Sequence, residues 1–308
     1  MSNLEWNEIN ISENKDNNVL LEHRNCPTCN EDNFRTVITL NNFQFFSDSN
    51  ESKQVDINQQ QCKKCATISM NPCYSNKGLE QLFAEAGQSY GSSLEHTKEQ
   101  ISWLQRYELL GAGNRILDVG CYDGSFLSNL SEEIIKLGVD IDEQAIKRGS
   151  ELYSNHNIQF FHGDFESFAF SGPSPDVITM YHVLEHLARP IETLEKLYDI
   201  SKETTKLVIE VPILENGKTN DINSFFSVQH MTHFSRNSLL NCLSLAGWLV
   251  EDFYEAKDYN GYRVIASKMK EPILVSQIKD SKDDWLKLNS ILSSWYQTIE
   301  DTEKALYN

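Results

Sequence analysis

The residues best suited to binding a small molecule follow a predicted buried strand, Ile116 to Val119. Gly120 and Gly124 come directly after it, and glycine permits a sharp turn and the close approach of a ligand. A predicted helix then opens, and its first backbone N–H groups are free to face a ligand above the strand. Asp118, at the strand end, either orders this loop or faces a cationic ligand. The alternative is a strand, turn and helix that bind nothing.

A second carboxylate, Asp140, ends the next predicted strand, 20 residues after Gly120. A carboxylate at this point can accept hydrogen bonds from both hydroxyl groups of a ribose. The strict dinucleotide pattern G-x-G-x-x-G is absent, because Tyr122 stands two positions after Gly120. The spacing nevertheless predicts a site for a nucleotide-type cofactor.

Four of the seven cysteines form two C-x-x-C pairs, namely Cys26 with Cys29 and Cys62 with Cys65. Two such pairs are typical of a structural zinc site, in which four thiolates leave no position for water. Phe34 to Leu40, Phe43 to Phe46 and Val55 to Ile57 are predicted strands of a zinc ribbon. The alternatives are free thiols in two hairpin turns, a redox disulfide, or His23 or Cys73 as a substitute ligand.

Charge and hydropathy limit the partners. The 308 residues include 27 basic and 45 acidic side chains, for a formal charge of −18, which repels phosphate backbones and anionic membranes. We therefore expect neither a nucleic acid nor a membrane as partner. No apolar run approaches the roughly 20 residues of a spanning helix, and the start of the chain is polar and Asn-rich. These features predict a cytoplasmic protein with a disordered N-terminal tail.

The rest of the chain alternates predicted strands and helices, as a doubly wound parallel sheet requires. The predicted strands are Ile116 to Val119, Lys136 to Val139, Ile158 to Phe161, Asp176 to Met180, Leu207 to Val211, Leu249 to Tyr254 and Tyr262 to Ala266. The last two are close enough in sequence to form a hairpin, with the final strand inserted antiparallel. A ligand should lie outside the carboxyl ends of the parallel strands.

We divide the chain into five segments: a tail (1–20), a zinc-binding module (21–75), a helical linker (76–110) with a helix from about Leu94 to Leu110, an α/β domain (111–267) and a C-terminal helix (268–308). Trp285, Leu288, Leu292, Trp295, Ile299 and Leu306 form an amphipathic stripe in the last segment. This stripe either packs on its own chain or contacts a second copy or a further domain.

The motifs of the α/β domain jointly resemble those of class I S-adenosylmethionine-dependent methyltransferases, with a Rossmann-like seven-stranded sheet. They are Asp118-Val119-Gly120, Asp140, Gly163-Asp164-Phe165, Tyr181 to Leu187 and Glu210-Val211-Pro212. The resemblance implies that the turn carrying Gly120, Cys121, Tyr122 and Gly124 holds the methionine part of the cofactor. It assigns Asp140 and Ile141 to the ribose, Asp164 and Phe165 to the adenine, and Tyr181 and His182 to the pocket wall.

With its four-cysteine module, the chain is similar to the sugar C-methyltransferases of deoxysugar biosynthesis, which act on nucleotide-linked keto sugars. The shared features include Asp123-Gly124, the linker residues Ser92, Ser93 and His96, and the run from Gln229 to Ser235. The family's usual Tyr-His-Glu-His segment survives here as His230, which the resemblance makes the candidate base. Methyl transfer to a hydroxyl, or to a carbon beside a ketone, requires loss of a proton, for which an imidazole is suited.

His230 and His233 are thus candidate catalytic residues, although both are equally consistent with simple hydrogen bonding. The candidate substrate residues are Asn223, Phe226, Asn260 and Arg263, all assigned to loops at the mouth of the site. Arg263 either binds a sugar-nucleotide phosphate or forms a surface salt bridge. Glu185 and His186 either cap a helix or touch the substrate.

The predicted function is methyl transfer from S-adenosylmethionine to a sugar, either nucleotide-linked or a polysaccharide or natural-product precursor. Three alternatives remain: an O-methyltransferase of another small molecule or glycan, an rRNA methyltransferase with a zinc module, and a non-catalytic cofactor-binding scaffold. The negative charge disfavours the rRNA alternative.

Overall fold

The computed structural model describes residues 21–45, 53–75, 78, 93–163, 165, 172–216, 226, 229–256, 260–278 and 282–307. The predicted tail (1–20) and most of the linker before Ser93 lie outside these residues, as do Asp164 and Asn223 among the candidate site residues.

The cysteine-containing module is built from short antiparallel strands. They are β1 (Leu21–Glu22), β2 (Phe34–Phe45), β3 (Lys53–Cys62), β4 (Ile68–Met70) and β5 (Cys73–Tyr74). β2 and β3 form a long hairpin that pairs Phe34 with Cys62. Strands are therefore present where the sequence predicted them, up to Phe45, but they merge into two strands longer than the predicted ones.

Helix α1 (Leu94–Arg106) leads from this module into the larger domain. It begins where the Ser93 side chain accepts a hydrogen bond from the backbone N–H of His96. It ends four residues before the predicted Leu110, because Glu108 has a left-handed φ of 56° that a helix cannot contain.

The remaining elements are, in chain order, β6 (Arg115–Val119), α2 (Ser125–Ser128), β7 (Ile135–Asp140), α3 (Glu143–Leu152), β8 (Ile158–His162), β9 (Val177–Tyr181), a 3₁₀ turn (Leu184–His186), α4 (Pro190–Ile200), β10 (Lys206–Val211), a 3₁₀ turn (Leu214–Asn216), β11 (Thr232–His233), α5 (Arg236–Leu245), β12 (Trp248–Glu255), β13 (Tyr262–Lys268), a 3₁₀ turn (Val275–Gln277) and α6 (Lys282–Tyr307). None of the helices in the described part of the chain combines the length and apolar character needed to cross a bilayer.

Seven strands form one mixed sheet in the order β12-β13-β10-β9-β6-β7-β8. The prediction of a doubly wound sheet is confirmed, and so is the antiparallel final strand, since β13 runs antiparallel to both β10 and β12. The strand order reverses between β6 and β9, which are parallel neighbours. Ligands bind at such a switch point, outside the carboxyl ends of the strands.

The short strand β11 leaves the larger domain and joins the sheet of the cysteine module. Thr232 pairs with Ser69 and His233 with Ile68, which gives a four-stranded sheet in the order β11-β4-β3-β2. The backbone N–H of Met70 also donates to the carbonyl of Met231 at 3.0 Å. The segment that carries the candidate base His230 is therefore held by the module.

Helix α6 packs across the same junction. Leu288, Leu292 and Trp295 are buried, in one cluster with Ile38 and Ile68 of the module and with Leu214 and Phe226 of the larger domain. The Arg35 guanidinium lies over the ring of Trp285, at 4.6 Å from its centroid. This part of the predicted stripe is thus covered within the chain.

Candidate cofactor and acceptor site

The turn after β6 has the shape that its glycines allow. Gly120 and Gly124 have φ values of 74° and 79°, which are left-handed conformations that side chains disfavour. A Cβ atom on Gly120 would lie 2.3 Å from Cγ2 of Val183, and one on Gly124 would lie 2.5 Å from Cζ of Phe160. Both positions therefore require glycine for two reasons, the backbone angle and the lack of space.

A cavity of about 420 Å³ opens above this turn, within the usual range for small-molecule sites. It brings together most of the residues predicted to bind the cofactor, namely Asp118, Gly120, Cys121, Tyr122, Asp140, Ile141, Phe165, Tyr181 and His182. Gly124 is not among these lining residues; it allows the turn to pack closely against Phe160.

Asp140 is held by backbone groups at the end of β7. One carboxylate oxygen accepts from the Tyr122 N–H at 2.7 Å, and the other accepts from the Asp142 N–H at 2.8 Å. Burial raises the pKa of Asp140, although these two hydrogen bonds act to lower it. The carboxylate is therefore fixed in direction at the cavity wall before any ligand binds.

Asp118 is buried beneath the same turn, with 4% of its surface exposed. Its carboxylate accepts a hydrogen bond from the Thr179 hydroxyl at 2.7 Å. Burial raises the pKa of Asp118 to about 7, and the nearby charge of Asp140 adds to this effect. Asp118 thus joins β6 to β9 and also borders the cavity, so its two predicted roles are compatible.

His182 lies directly after β9 with a left-handed φ of 54°. Its Nδ1 is 3.1 Å from a carboxylate oxygen of Glu185, and its Nε2 is 3.4 Å from one of Glu210. Burial acts to lower the pKa of His182, but the two carboxylates outweigh it and raise the pKa to about 10. His182 therefore presents a positive charge at one end of the cavity.

Arg263 corrects the sequence prediction. It lies in β13 and not in a loop, with 1% of its side chain exposed. Its Nε and Nη2 donate to one oxygen of Glu210 at 2.7 and 2.6 Å. Burial alone would raise the pKa of Glu210, but hydrogen bonds from His182 and His96 and the charge of Arg263 hold it well below its usual range. The predictions of a phosphate ligand and of a surface salt bridge are both wrong, because the guanidinium is enclosed with its partner.

Three histidine rings, those of His186, His230 and His233, lie in sequence from the cavity wall into the protein. His186 borders the cavity, and its Nδ1 is 3.0 Å from the carbonyl of Gln229. The ring of His230 lies against that of His186, with centroids 4.9 Å apart, and His233 follows at 5.8 Å. His233 is in β11 with 3% of its surface exposed, so it lies behind His230 and away from the cavity wall.

Two of the predicted substrate residues, Phe226 and Asn260, make contacts that stabilise the fold. Phe226 is fully buried and packs edge-on against Trp295 and His233, so its assignment to the mouth of the site is wrong. The Asn260 side chain accepts a hydrogen bond from the Ile213 N–H at 3.2 Å and thereby fixes the chain after β10.

The four paired cysteines converge as predicted. The Sγ atoms of Cys26 and Cys65 are 3.4 Å apart, those of Cys29 and Cys62 are 3.5 Å apart, and all four lie within 4.8 Å of one another. Zinc–sulfur bonds of about 2.3 Å in a tetrahedron place the sulfurs about 3.8 Å apart, so the arrangement fits a zinc ion. All seven cysteines of the chain are free thiols, and Cys73 and His23 are not members of the cluster.

Sequence reasoning missed Gln100, which lies in α1 and borders the cavity. Gln100 and His96 are separated by one helical turn, and their side-chain nitrogens are 3.0 Å apart. This polar pair precedes the apolar Trp103 and Leu104 on a buried helix face. Two polar residues one turn apart on an otherwise apolar helix face could have indicated that this face borders a polar site.

Comparisons with known proteins agree with this geometry. The family model described as a methyltransferase domain matches residues 94–252. A probable S-adenosylmethionine-dependent methyltransferase of Mycolicibacterium smegmatis is 23% identical over 167 residues, which are 50% of this chain and 62% of that protein. A ubiquinone biosynthesis O-methyltransferase of Nitrosospira multiformis is 27% identical over 107 residues, 33% of this chain and 44% of that protein. The chain thus spans less than two thirds of these relatives.

Among solved structures, magnesium protoporphyrin IX methyltransferase from Synechocystis PCC 6803, with bound S-adenosylhomocysteine, is similar with a TM-score of 0.46 and 15% identity. It covers 63% of this chain and 95% of its own. The family model matches just over half of the 308 residues, over the part that carries the cavity-forming turn, Asp140 and β9. The chain belongs to the methyltransferase-domain family, and this region is its S-adenosylmethionine-dependent methyltransferase domain.

Proposed function

We propose that the whole chain transfers a methyl group from S-adenosylmethionine to a hydroxyl or carbon of a sugar, either nucleotide-linked or part of a glycan or natural-product precursor. The observation that carries the proposal is that the cavity beside the glycine turn ends in polar side chains. Gln100, His182 and His186 all border this end. Such a wall suits an acceptor that has several hydroxyl groups.

The residues of the cavity fit the cofactor that the family implies. S-adenosylmethionine supplies an electrophilic methyl group when it is bound. We assign the ribose hydroxyls to Asp140, the methionine part to the turn at Gly120 and the adenine to Phe165; in support, all three border the cavity, and the Tyr122 N–H fixes the Asp140 carboxylate. Asp118, ionised above about pH 7, favours a positively charged ligand.

The acceptor must lose a proton as the methyl group arrives, and we assign this proton to the pair His186 and His230. His186 lies between His230 and the cavity, with the two rings in contact. The backbone of Gln229 orients His186, and the module sheet fixes the following strand. General base catalysis contributes about 10²–10⁴-fold, so His230→Ala should lower kcat by that amount and leave the affinity for S-adenosylhomocysteine unchanged.

We also propose that the four-cysteine cluster holds one zinc ion with a structural role. The cluster is buried and complete in thiolates, which leaves no open coordination position for catalysis. The module would then help to position the site, because its strand β4 pairs with β11, which follows His230.

An O-methyltransferase acting on another small molecule remains the second candidate, since one relative is named as a ubiquinone biosynthesis O-methyltransferase. Titration calorimetry with S-adenosylhomocysteine tests cofactor binding. Transfer of radiolabelled methyl from S-adenosylmethionine to nucleotide sugars, glycans, catechols and rRNA tests the acceptor. Methylation of a catechol alone would overturn the sugar assignment, methylation of rRNA would reverse the argument from charge, and cofactor binding without any product would favour a scaffold.

A further inference from the structure

Three side chains from three different elements meet at His182, behind the cavity wall that His182 and Gln100 help to form. His96 comes from the first turn of α1, His182 follows β9, and Glu210 lies in β10. His96 Nε2 is 3.2 Å and His182 Nε2 is 3.4 Å from the same oxygen of Glu210, Oε1. The two imidazoles thus converge on one carboxylate oxygen.

These distances match those between ligands of one metal ion. Nitrogen and oxygen ligands bind divalent zinc at about 2.0–2.2 Å, so two ligands at octahedral or tetrahedral angles lie about 2.8–3.6 Å apart. The three ligand atoms all lie within 4.8 Å of one another. Two histidines and one carboxylate form a donor set that leaves further coordination positions open.

The partners of these three residues fix their orientation. Nδ1 of His182 is bound to Glu185, which is 1% exposed, so Nε2 is directed towards Glu210. Arg263 occupies the other oxygen of Glu210, Oε2, and leaves Oε1 to the histidines. A carboxylate on the second nitrogen of a histidine is the usual support of a metal ligand.

The surroundings of the three ligands are polar and buried. Glu185 and Glu210 are both buried, Arg263 pairs with Glu210, and His182 lies between the two carboxylates. A bound metal ion would displace the proton that these carboxylates hold on His182. In addition, among the described residues, Oε1 of the buried Gln100 and Oε2 of Glu185 have no hydrogen-bond partner, and Gln100 borders the cavity.

We propose that His96, His182 and Glu210 bind a divalent transition-metal ion such as Mn²⁺ or Zn²⁺, with its open positions directed at the polar end of the cavity. This site is separate from the cysteine cluster, whose soft thiolates select zinc and whose coordination is closed. Oxygen atoms of the acceptor would complete the coordination; this last role rests on the proposed function, whereas ion binding itself does not.

The test is Mn²⁺ binding to the full-length, zinc-loaded protein, followed by electron paramagnetic resonance of the free ion. Zinc is limited to one equivalent, which the thiolate cluster takes up and which leaves the histidine site open to Mn²⁺; thiolate sites do not favour Mn²⁺. We expect one saturable site. His96→Ala should weaken it by at least about 10-fold, and Glu185→Gln, which keeps all three ligands, by about 10–100-fold. His96→Ala keeps the cap of α1, because the cap uses the His96 backbone N–H.

His156→Ala is the matched control. His156 pairs with Glu132 and precedes the edge strand β8, three strands away from β9, so this variant should bind Mn²⁺ like the wild type. No saturable binding below about 1 mM, or binding unchanged in both His96→Ala and Glu185→Gln, would overturn the proposal. Calorimetry with S-adenosylhomocysteine on the same samples separates the two ideas: Mn²⁺ binding without cofactor binding supports the metal site and contradicts the proposed function, and the reverse result does the opposite.

Discussion

Glu210 and Arg263 face each other across the antiparallel pair of β10 and β13, and their side chains form an ion pair enclosed in the protein. Three aromatic rings, those of Trp103, Tyr181 and Tyr254, surround the guanidinium at 5.4–5.9 Å from their centroids. The arginine therefore acts through Glu210, because it binds Oε2 and directs the other oxygen, Oε1, towards His96 and His182.

The first prediction concerns this pair. Arg263→Met leaves the charge of Glu210 buried with less compensation, so we expect the free energy of unfolding to fall by about 3–5 kcal/mol. Lys206→Met is the matched control, because Lys206, on the same strand β10 as Glu210, pairs with Glu251 of β12 at the surface. It should cost no more than about 1 kcal/mol. Urea denaturation measures the free energy of unfolding of both variants. Equal losses would mean that the buried ion pair contributes no more to stability than the surface pair.

The second prediction concerns the glycine turn. Gly120→Ala places a methyl group 2.3 Å from Val183 at a left-handed φ of 74°. We expect the affinity for S-adenosylhomocysteine to fall at least about 10-fold as the turn shifts. Gly113→Ala has a comparable φ of 81° but meets no atom within 4 Å, so it isolates the backbone strain. If Gly113→Ala weakened binding as much, strain in the chain at large and not the contact at Val183 would be the cause.

The third prediction follows from the raised pKa of Asp118. An unfolded aspartate loses its proton near pH 4, whereas folded Asp118 keeps it until about pH 7. Between these values the folded state binds more protons, so the contribution of Asp118 to stability decreases as the pH rises and stays low above pH 7. Asp118→Asn removes this titration, and its amide oxygen can still accept from Thr179.

The variant should therefore be more stable than the wild type at pH 8, by on the order of 2–4 kcal/mol, and the difference should disappear as the pH falls towards about 4. Urea denaturation across this range gives the comparison. A difference that does not depend on pH would mean that Asp118 is already ionised in the folded protein throughout.

The fourth prediction concerns helix α6. Leu288→Ala removes a fully buried side chain from the cluster that joins the module to the larger domain, so it should cost about 2–5 kcal/mol of unfolding free energy. Leu286, two residues earlier on the same helix, is 57% exposed, and Leu286→Ala should change stability by less than about 0.5 kcal/mol. A small effect of both would show that α6 is loosely attached.

Local patterns in the sequence were sufficient to predict the seven strands, because each is an apolar run bounded by turn residues. The turn at Gly120 and the cysteine pairs were likewise visible from spacing. The Glu210–Arg263 pair was not, since its members are 53 positions apart and meet through the register of β13. The pairing of β11 with the module sheet could not be predicted either, because a strand of two residues is too short to show an alternating pattern.

The last prediction concerns that pairing. Cys62→Ser breaks the proposed zinc site, so metal analysis should show the loss of one zinc ion per chain, whereas Cys73→Ser should retain it. Both cysteines are fully buried, but Cys73 lies outside the cluster. Because β4 aligns Thr232 and His233 beside the candidate base, loss of zinc should lower kcat for methyl transfer more than it lowers the affinity for S-adenosylhomocysteine. Equal effects of the two variants on kcat would mean that the module does not position His230.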